Sequence, residues 1–501
     1  MGEVIADRRR RGAVFALGCL LLTAGVWLHL AMFLPELAAG RRLMAMAFDG
    51  AMRAGMALIA VGTLLAAGSL WQPAGTAAVD VRVVPPLRLT ARHWTLIAVL
   101  VAVLVIDTMK PATLGFVVPG MVAEYGLPRA TIAWLPFAAL TGTAVGSLLW
   151  GWFADHQGRR AAILLSTLLF VGTSVCGAMP TLGWNIAMCF VMGASAGGLL
   201  PVAYALLTEL LPIRRRGFFL VLVGGLGSAG GFFAASGLAS VLEPIFGWRM
   251  LWLIGLPTGL FVLACSFRLP ESPYHLIAQG RTAAARASLA RYGGALTVEA
   301  AAPDRGRRDG GFGRHALPIL VATGLIWGLV NFGFLLWLPA MLAASGLAVG
   351  ASGQLLASAA FVAFLTILPA TILYERIGGA RAVMAAMALT LAGLLLVAVA
   401  GWVAGGALLV LVGVNAAIAM LLPFAAESST AAMRGRATGL VAGASKAGGI
   451  AAQAAALSGF VPDPRGAALT LAVPLILLLA VMLHARFTLH AAGPAANRLS
   501  E

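Results

Sequence analysis

Lysine is nearly missing from this chain of 501 residues: of 34 basic side chains only Lys110 and Lys446 are lysine, and the rest are arginine. Charge of any kind is scarce, at 10% of residues, against about 25% in a soluble globular protein. That shortage excludes an ordinary soluble domain. Cysteine is equally thin. Cys19, Cys176, Cys189 and Cys265 lie in four separate apolar segments and read as small core residues, which excludes a disulfide framework or a thiolate metal site. The seven histidines show no metal spacing, so no metal or other cofactor is expected, and the lack of a catalytic cluster leaves an enzyme with little support.

What the chain has instead is apolar length, with 61% hydrophobic residues and a mean hydropathy of +0.95. The apolar residues fall in blocks of about 20, the length of a bilayer-crossing helix. In lipid each span must satisfy its own backbone, so the expected fold class is an all-α polytopic membrane protein. Fourteen spans are expected, near 12–35, 49–71, 94–120, 131–154, 161–180, 184–211, 217–242, 250–267, 316–343, 353–374, 381–400, 404–424, 437–461 and 467–486.

The net charge of +16 does not point to nucleic acid, because its placement follows the membrane. With the N-terminus inside, 26 arginines fall in inner loops, tails and span ends. The outer side holds six: Arg41, Arg42, Arg53, Arg129, Arg249 and Arg465. This is the positive-inside skew, and it puts both termini in the cytoplasm of a bacterial inner membrane protein.

The longest polar interruption, 268–315, separates a six-span half at 94–267 from another at 316–487. Residues 1–93 form an extension with two spans, and 488–501 a cytoplasmic tail. Internal repeats support the division. GWFADHQGRR (151–160) and TILYERIGGAR (371–381) place Asp155 against Glu375 and Gly158 against Gly378, 220 residues apart. ELLPIRRRG (209–217) and ESSTAAMRG (427–435) each set a glutamate, Glu209 or Glu427, seven residues before Arg216 or Arg434, at an offset of 218. Two homologous halves are a common transporter architecture. Carboxylates at helix ends beside loop arginines, such as Arg159, Arg160 and Arg381, can bridge helices and hold one side closed. They also serve as topology signals and caps.

These residues resemble the major facilitator superfamily over roughly 94–487. GWFADHQGRR is similar to its G-x-x-x-D-x-x-G-R-R loop through Gly151, Asp155, Gly158, Arg159 and Arg160, with His156 where a basic residue is usual. Glu209 to Pro212 followed by Arg216 and Gly217 resembles the E-x-x-P-x-x-x-R-G of sugar porters and related metabolite–proton symporters. LPESPYHLI (269–277) resembles their P-E-S-P-R-W-L, with Tyr274 and His275 in place of Arg and Trp. Two positions depart from the pattern. Cys189 stands where proton-coupled relatives often carry arginine in the fourth core helix, and GGLGSAGGFF (224–233) lacks the Gly-Pro of drug–proton antiporters.

Both lysines lie within expected spans, while every loop uses arginine. Lysine is a compact charge that can bind an anion or exchange a proton when buried. Asp107 and Lys110 stand near the midpoint of 94–120, and Lys446 in the middle third of 437–461. Asn331 and Asn415 are also central in their spans, and Lys110 plus the repeat offset lands beside Asn331. Pro111 cannot donate a hydrogen bond to the carbonyl of Asp107, so a kink is expected there. DTMKPATLGFVVPG (107–120) resembles the first-helix signature of aromatic acid–proton symporters, D-G-x-D, with Lys110 replacing the second aspartate. GASKAGG (443–449) is similar to a G-x-G-R-x-G pattern, with Lys446 at the basic position. The bland alternatives are an Asp107–Lys110 pair that neutralises itself and asparagines that only join helices.

The leading expectation is a secondary transporter working by alternating access on a small organic anion, a carboxylate or aromatic acid, with proton-coupled import. Lys110 and Lys446 would bind the negative group from opposite halves, and Asp107 would pair with Lys110 or take up a proton. The expected partners are the substrate, protons and the lipid bilayer, with the protein a monomer. Two other readings stay open at this point. One is a facilitator or exporter of a neutral or cationic compound, with Asp107 as cation ligand. The other is a non-transporting sensor on a transporter scaffold.

Overall fold

The computed structural model describes residues 2–45, 48–71, 82–297, 315–429, 433–460 and 462–496. Apolar composition makes nearly all of this chain helical, because a helix satisfies every backbone group without water. Eleven helices among the described residues are long and apolar enough to cross a membrane. Three of the expected spans fall short of that standard, each for a local reason. The span at 161–180 is a helix of 14 residues, Arg159–Gly172, that gives way to a 3₁₀ turn over Thr173–Ala178. The one at 250–267 is a shorter apolar run, Met250–Ser266, divided into Met250–Leu253 and Gly255–Ser266. The one at 437–461 is the helix Arg434–Leu457, which is long enough but diluted by Arg436, Ser445, Lys446 and Gln453.

Two boundaries differ from expectation. The last helix, Pro464–Ala496, runs past the expected start of a tail at 488. The expected central loop at 268–315 carries structure of its own: short helices at Pro273–Ala278 and Thr282–Ala290, then a strand, Ala295–Thr297. That strand pairs antiparallel with Arg82–Val84, placing Val83 opposite Leu296. The helix Ala91–Tyr125 continues through Pro111 without a break. Thr113 donates its hydroxyl to the carbonyl of Lys110 at 2.6 Å in the turn that the proline loosens.

The chain divides into two compact units that do not follow its two sequence halves. One holds Met1–Thr113, Ala138–Arg216 and Val241–Ala301. The other holds Leu114–Phe137, Gly217–Ser240 and Ala302–Glu501. In the second unit, segments of the N-terminal half pack on C-terminal helices where small residues permit it. A side chain on Gly225 would press on Ile367 and Ala419, and one on Gly353 on the backbone of Ser240. Close backbone approach of this kind replaces the hydrophobic drive that lipid does not supply.

In the first unit the extra N-terminal helices, Gly2–Ala38 and Gly50–Leu70, cross through the same device. Gly18 faces Gly62, and Gly25 faces Gly55. Asp49 starts the second of them by accepting from the amide of Met52 at 2.9 Å. The buried His29 lies against Gly55, with Nδ1 donating to the carbonyl of Gly25 at 2.8 Å. Ile59 and Leu22 of this pair reach Gly172, so the extension packs on the helix Arg159–Gly172. Its connecting loop is tied down where the amide of Leu43 donates to the carbonyl of Phe246 at 2.9 Å.

Candidate functional site

In the first unit the helix Ala91–Tyr125 places Asp107 and Lys110 three residues apart, and both are buried, at 8% and 1% exposure. Lys110 Nζ donates to the carbonyl of Phe170 at 2.9 Å and to Thr173 Oγ1 at 2.8 Å. It also stands 4.1 Å from the centre of the Phe170 ring. Phe170 lies in the last turn of Arg159–Gly172, where carbonyls lack intrahelical donors and the helix dipole is negative. The ammonium therefore occupies a place that suits a cation. Gly255 makes room for it, since a side chain there would come within 3.2 Å of Nζ. The sequence located this lysine at mid-span but gave no sign of its partners, which lie 60 and 63 residues away.

In the second unit Asn331 opens a π-helical turn, Asn331–Leu335, after the helix Ala316–Val330. Single π turns insert one residue into a helix and frequently mark functional sites. This one is held by Gln453, a residue the sequence reading passed over. Gln453 is fully buried; it donates to the carbonyl of Phe332 at 2.8 Å and accepts from Trp337 Nε1 at 3.0 Å. It stands seven residues after Lys446 on Arg434–Leu457, two turns along the same face. Lys446 itself is half-buried. Its helix and Ala316–Val330 interlock through Gly324 and Gly328, which face Val441 and Ser445, and through Gly448, which faces Leu325. Lys446 and the turn of Asn331 thus sit on a tightly joined pair.

Asn415 is placed differently from Asn331. It is buried at 4% exposure; Nδ2 donates to the carbonyl of Leu411 at 2.8 Å, and Oδ1 accepts from Ser228 Oγ at 2.7 Å. One end of its amide thus bonds its own helix, Val403–Glu427, and the other joins that helix to the one carrying Ser228. Trp327 Nε1 donates to the carbonyl of Val414 beside it, at 2.9 Å. Cys189 is wholly buried within Leu182–Ala196.

The repeated loops are positioned by glycine. Gly158 (φ 101°, ψ 157°) and Gly378 (φ 83°, ψ 156°) precede the helices that begin at Arg159 and Gly379, in a conformation essentially restricted to glycine. Around Gly158 the charges meet. Arg159 Nη1 lies 2.6 Å from Asp155, and its Nε 3.4 Å from the buried Glu209. A third acid, Glu271 of the PESP segment, completes the group. Its Oε1 accepts from the amides of Arg160 at 3.2 Å and Ser272 at 2.9 Å, which places it at a helix N-terminus. Burial raises the Glu271 carboxyl from its ordinary value, against those amides and the Arg160 guanidinium. Gly151 is half-buried, and Arg216 Nε donates to the carbonyl of Leu211 at 3.1 Å.

Around Gly378 the described residues make other contacts. Glu375 and Arg381 are exposed. Glu427 accepts from the hydroxyl of Tyr374 at 2.9 Å. A side chain on Gly217 would come within 2.7 Å of Glu427 Oε1. Arg434 starts its helix, and its side chain lies outside the described residues.

The family model of the Major Facilitator Superfamily matches residues 96–453. The chain belongs to this superfamily. Among curated proteins it is similar to the niacin transporter NiaP of Acinetobacter baylyi, at 28% identity over 51% of this chain and 61% of that protein. It is similar as well to the 4-hydroxybenzoate transporter PcaK of Pseudomonas aeruginosa, at 32% identity over 38% of this chain and 43% of that one. A gallate transporter of Pseudomonas putida matches at 28% identity over 52% of this chain and 61% of its own length. The chain thus spans about half the length of these relatives. Among solved structures, the partially occluded inward-open xylose transporter XylE of E. coli aligns with a TM-score of 0.62 at 14% identity, over 78% of this chain and 98% of that one. The human organic anion transporter MFSD10 aligns with a TM-score of 0.57 at 14% identity, over 78% of this chain and all of that one. These two likenesses establish the fold.

Proposed function

We propose that this superfamily member is a secondary transporter carrying a small organic anion, a carboxylate or aromatic acid, across a bacterial inner membrane by alternating access. The observation that supports it most is that Lys446 shares a helix with Gln453, the residue that holds the π turn of Asn331. An interior-facing lysine in a span is costly in lipid and marks a substrate or ion path by default. Here it sits two turns from a glutamine that shapes the neighbouring helix. The relatives add chemical direction, since their names specify niacin, 4-hydroxybenzoate and gallate transport. In this reading Lys446 binds the carboxylate and Asn331 supplies a hydrogen bond. Asn415 supports the site through Ser228. Asp107 carries the coupled proton, and Lys110 holds the broken end of Arg159–Gly172 in register beside it.

The remaining assignments follow from that reading. Arg159–Gly172 with its 3₁₀ turn, Met250–Ser266 and Arg434–Leu457 are the three further crossings, giving two accessory spans and two sets of six. Both termini face the cytoplasm, the direction is import, and the working unit is a monomer. The charged loops at Asp155, Arg159, Glu209 and Glu271 form a cytoplasmic gate, with Glu375, Arg381, Glu427 and Arg434 at the repeat-related position.

Uptake of labelled 4-hydroxybenzoate and nicotinate into proteoliposomes tests this directly. Lys446→Ala is expected to lose at least about tenfold in transport rate, the loss of one charge-assisted contact. Transport of both acids at the wild-type rate would overturn the anion site. Asp107→Asn should keep counterflow exchange but lose accumulation driven by an imposed pH gradient.

A further inference from the structure

A cavity of about 500 Å³ lies in the first unit, away from Asp107 and Lys110. Its size falls within the range of small-ligand sites, about 300–1,000 Å³. Five arginines line it: Arg92 from the start of Ala91–Tyr125, Arg160, Arg268, and Arg281 and Arg291 from either end of the short helix Thr282–Ala290. Glu271 is the one carboxylate among the lining residues, and the amides of Arg160 and Ser272 already engage it. Among the described residues, Arg92, Arg268, Arg281 and Arg291 have no acidic side chain within ion-pair distance. Arg160 Nε is buried there without a hydrogen-bond partner, while its Nη2 donates to the carbonyl of Phe267.

The gate described above uses Arg159, Arg160 and the carboxylates; it leaves the guanidiniums of Arg92, Arg268, Arg281 and Arg291 unexplained. Like charges gathered around one cavity repel unless a counter-anion is drawn in. Guanidinium forks match the oxygens of phosphate, often two bonds at a time. Leu96 and Val99 of a membrane helix form an apolar wall of the cavity, against which the carbon part of a phosphate ester can lie. On the arginine skew, this end of the helix faces the cytoplasm.

We infer that this cavity is a binding site for a phosphate-bearing anion, a phosphate ester at the membrane surface, separate from the transport site. The phosphate is held by Arg268, Arg281 and Arg291, with Arg92 and Arg160 completing the shell. Because the strand Ala295–Thr297 follows Arg291 closely and pairs with Arg82–Val84, occupancy braces the central loop against the first core helix.

The test uses the full chain in neutral detergent at fixed ionic strength, read by thermal unfolding. Three additions are compared with chloride: inorganic phosphate, short-chain phosphatidylglycerol and short-chain phosphatidylcholine. Phosphatidylglycerol or phosphate should raise the midpoint, and phosphatidylcholine should not. Stabilisation by phosphatidylglycerol alone identifies the source as a lipid headgroup. Equal stabilisation by phosphate identifies a soluble phosphate compound. In Arg268→Gln/Arg281→Gln the half-saturating concentration should rise at least about tenfold. Arg291→Gln alone serves if that double variant does not fold. Arg286→Gln, an exposed charge on the same short helix that is absent from the cavity wall, should respond as wild type. No stabilisation by either phosphate compound would overturn the site, as would an equal loss in Arg286→Gln.

Discussion

At Gly158 the chain turns into a helix with three carboxylates gathered around it, Asp155, Glu209 and Glu271, and arginines between them. At Gly378, 220 residues later, the backbone makes nearly the same turn. There Glu375 stays exposed, and Glu427 takes a hydroxyl from Tyr374. The same local geometry thus carries an arginine–carboxylate cluster in one unit and, among the described contacts, a tyrosine–glutamate hydrogen bond in the other. The glycine fixes where the helix starts, while the partners that reach the loop fix what it does. Glu271 comes from the PESP segment, and among the described residues no acid takes its place at the second loop. Under the alternating access proposed above, the first loop is therefore the candidate for the element that breaks as the inner side opens.

The comparison breaks most visibly at its shared glycine. Gly158→Ala is expected to cost roughly 4 kcal/mol, combining a conformation forbidden to alanine with displacement of the Glu271 carboxylate. The built side chain would lie 2.6 Å from Glu271 Oε2. Gly378→Ala carries the backbone cost alone, about 2 kcal/mol, since nothing stands within 4 Å of its side-chain position. Thermal unfolding of both variants in detergent measures the difference, and equal losses would remove the contrast between the loops.

Tyr374→Phe should cost about 1 kcal/mol, one hydroxyl bond to a partly buried acid, read in the same way. Its effect must be smaller than that of Glu271→Gln if the first loop is the ionic one. The smallest expected effect is a pH dependence at His275. Burial, and after it the Arg159 and Arg281 guanidiniums, hold this imidazole below its ordinary value of 6.5. The unfolded chain then binds the extra proton as pH falls from 6.5 toward the lowered value, so stability declines through that window. His275→Asn should flatten this part of the wild-type profile, and an unchanged slope would rule His275 out as its source.

The candidate residues could be picked out from the sequence, but little of their bonding. Lys110 and Lys446 stood out because lysine occurs nowhere else, and their mid-span positions followed from hydropathy alone. That Lys110 reaches the carbonyl of Phe170, while Gln453 on the helix of Lys446 holds a π turn, depends on contacts across dozens of residues. Gln453 gave no signal at all; a glutamine in a span looks the same whether it shapes a neighbouring helix or merely bonds its own.

Composition and periodicity determined the membrane class, the repeat and the places of the glycines, because lipid forces the backbone into helices and only glycine adopts the turn at 158 and 378. Motif similarity added the superfamily. Tertiary structure decided which helices fall short of a full crossing, which segments join which compact unit, and which acids surround Arg159. Those outcomes depend on close packing and hydrogen bonds between segments distant in sequence, and no local pattern encodes them.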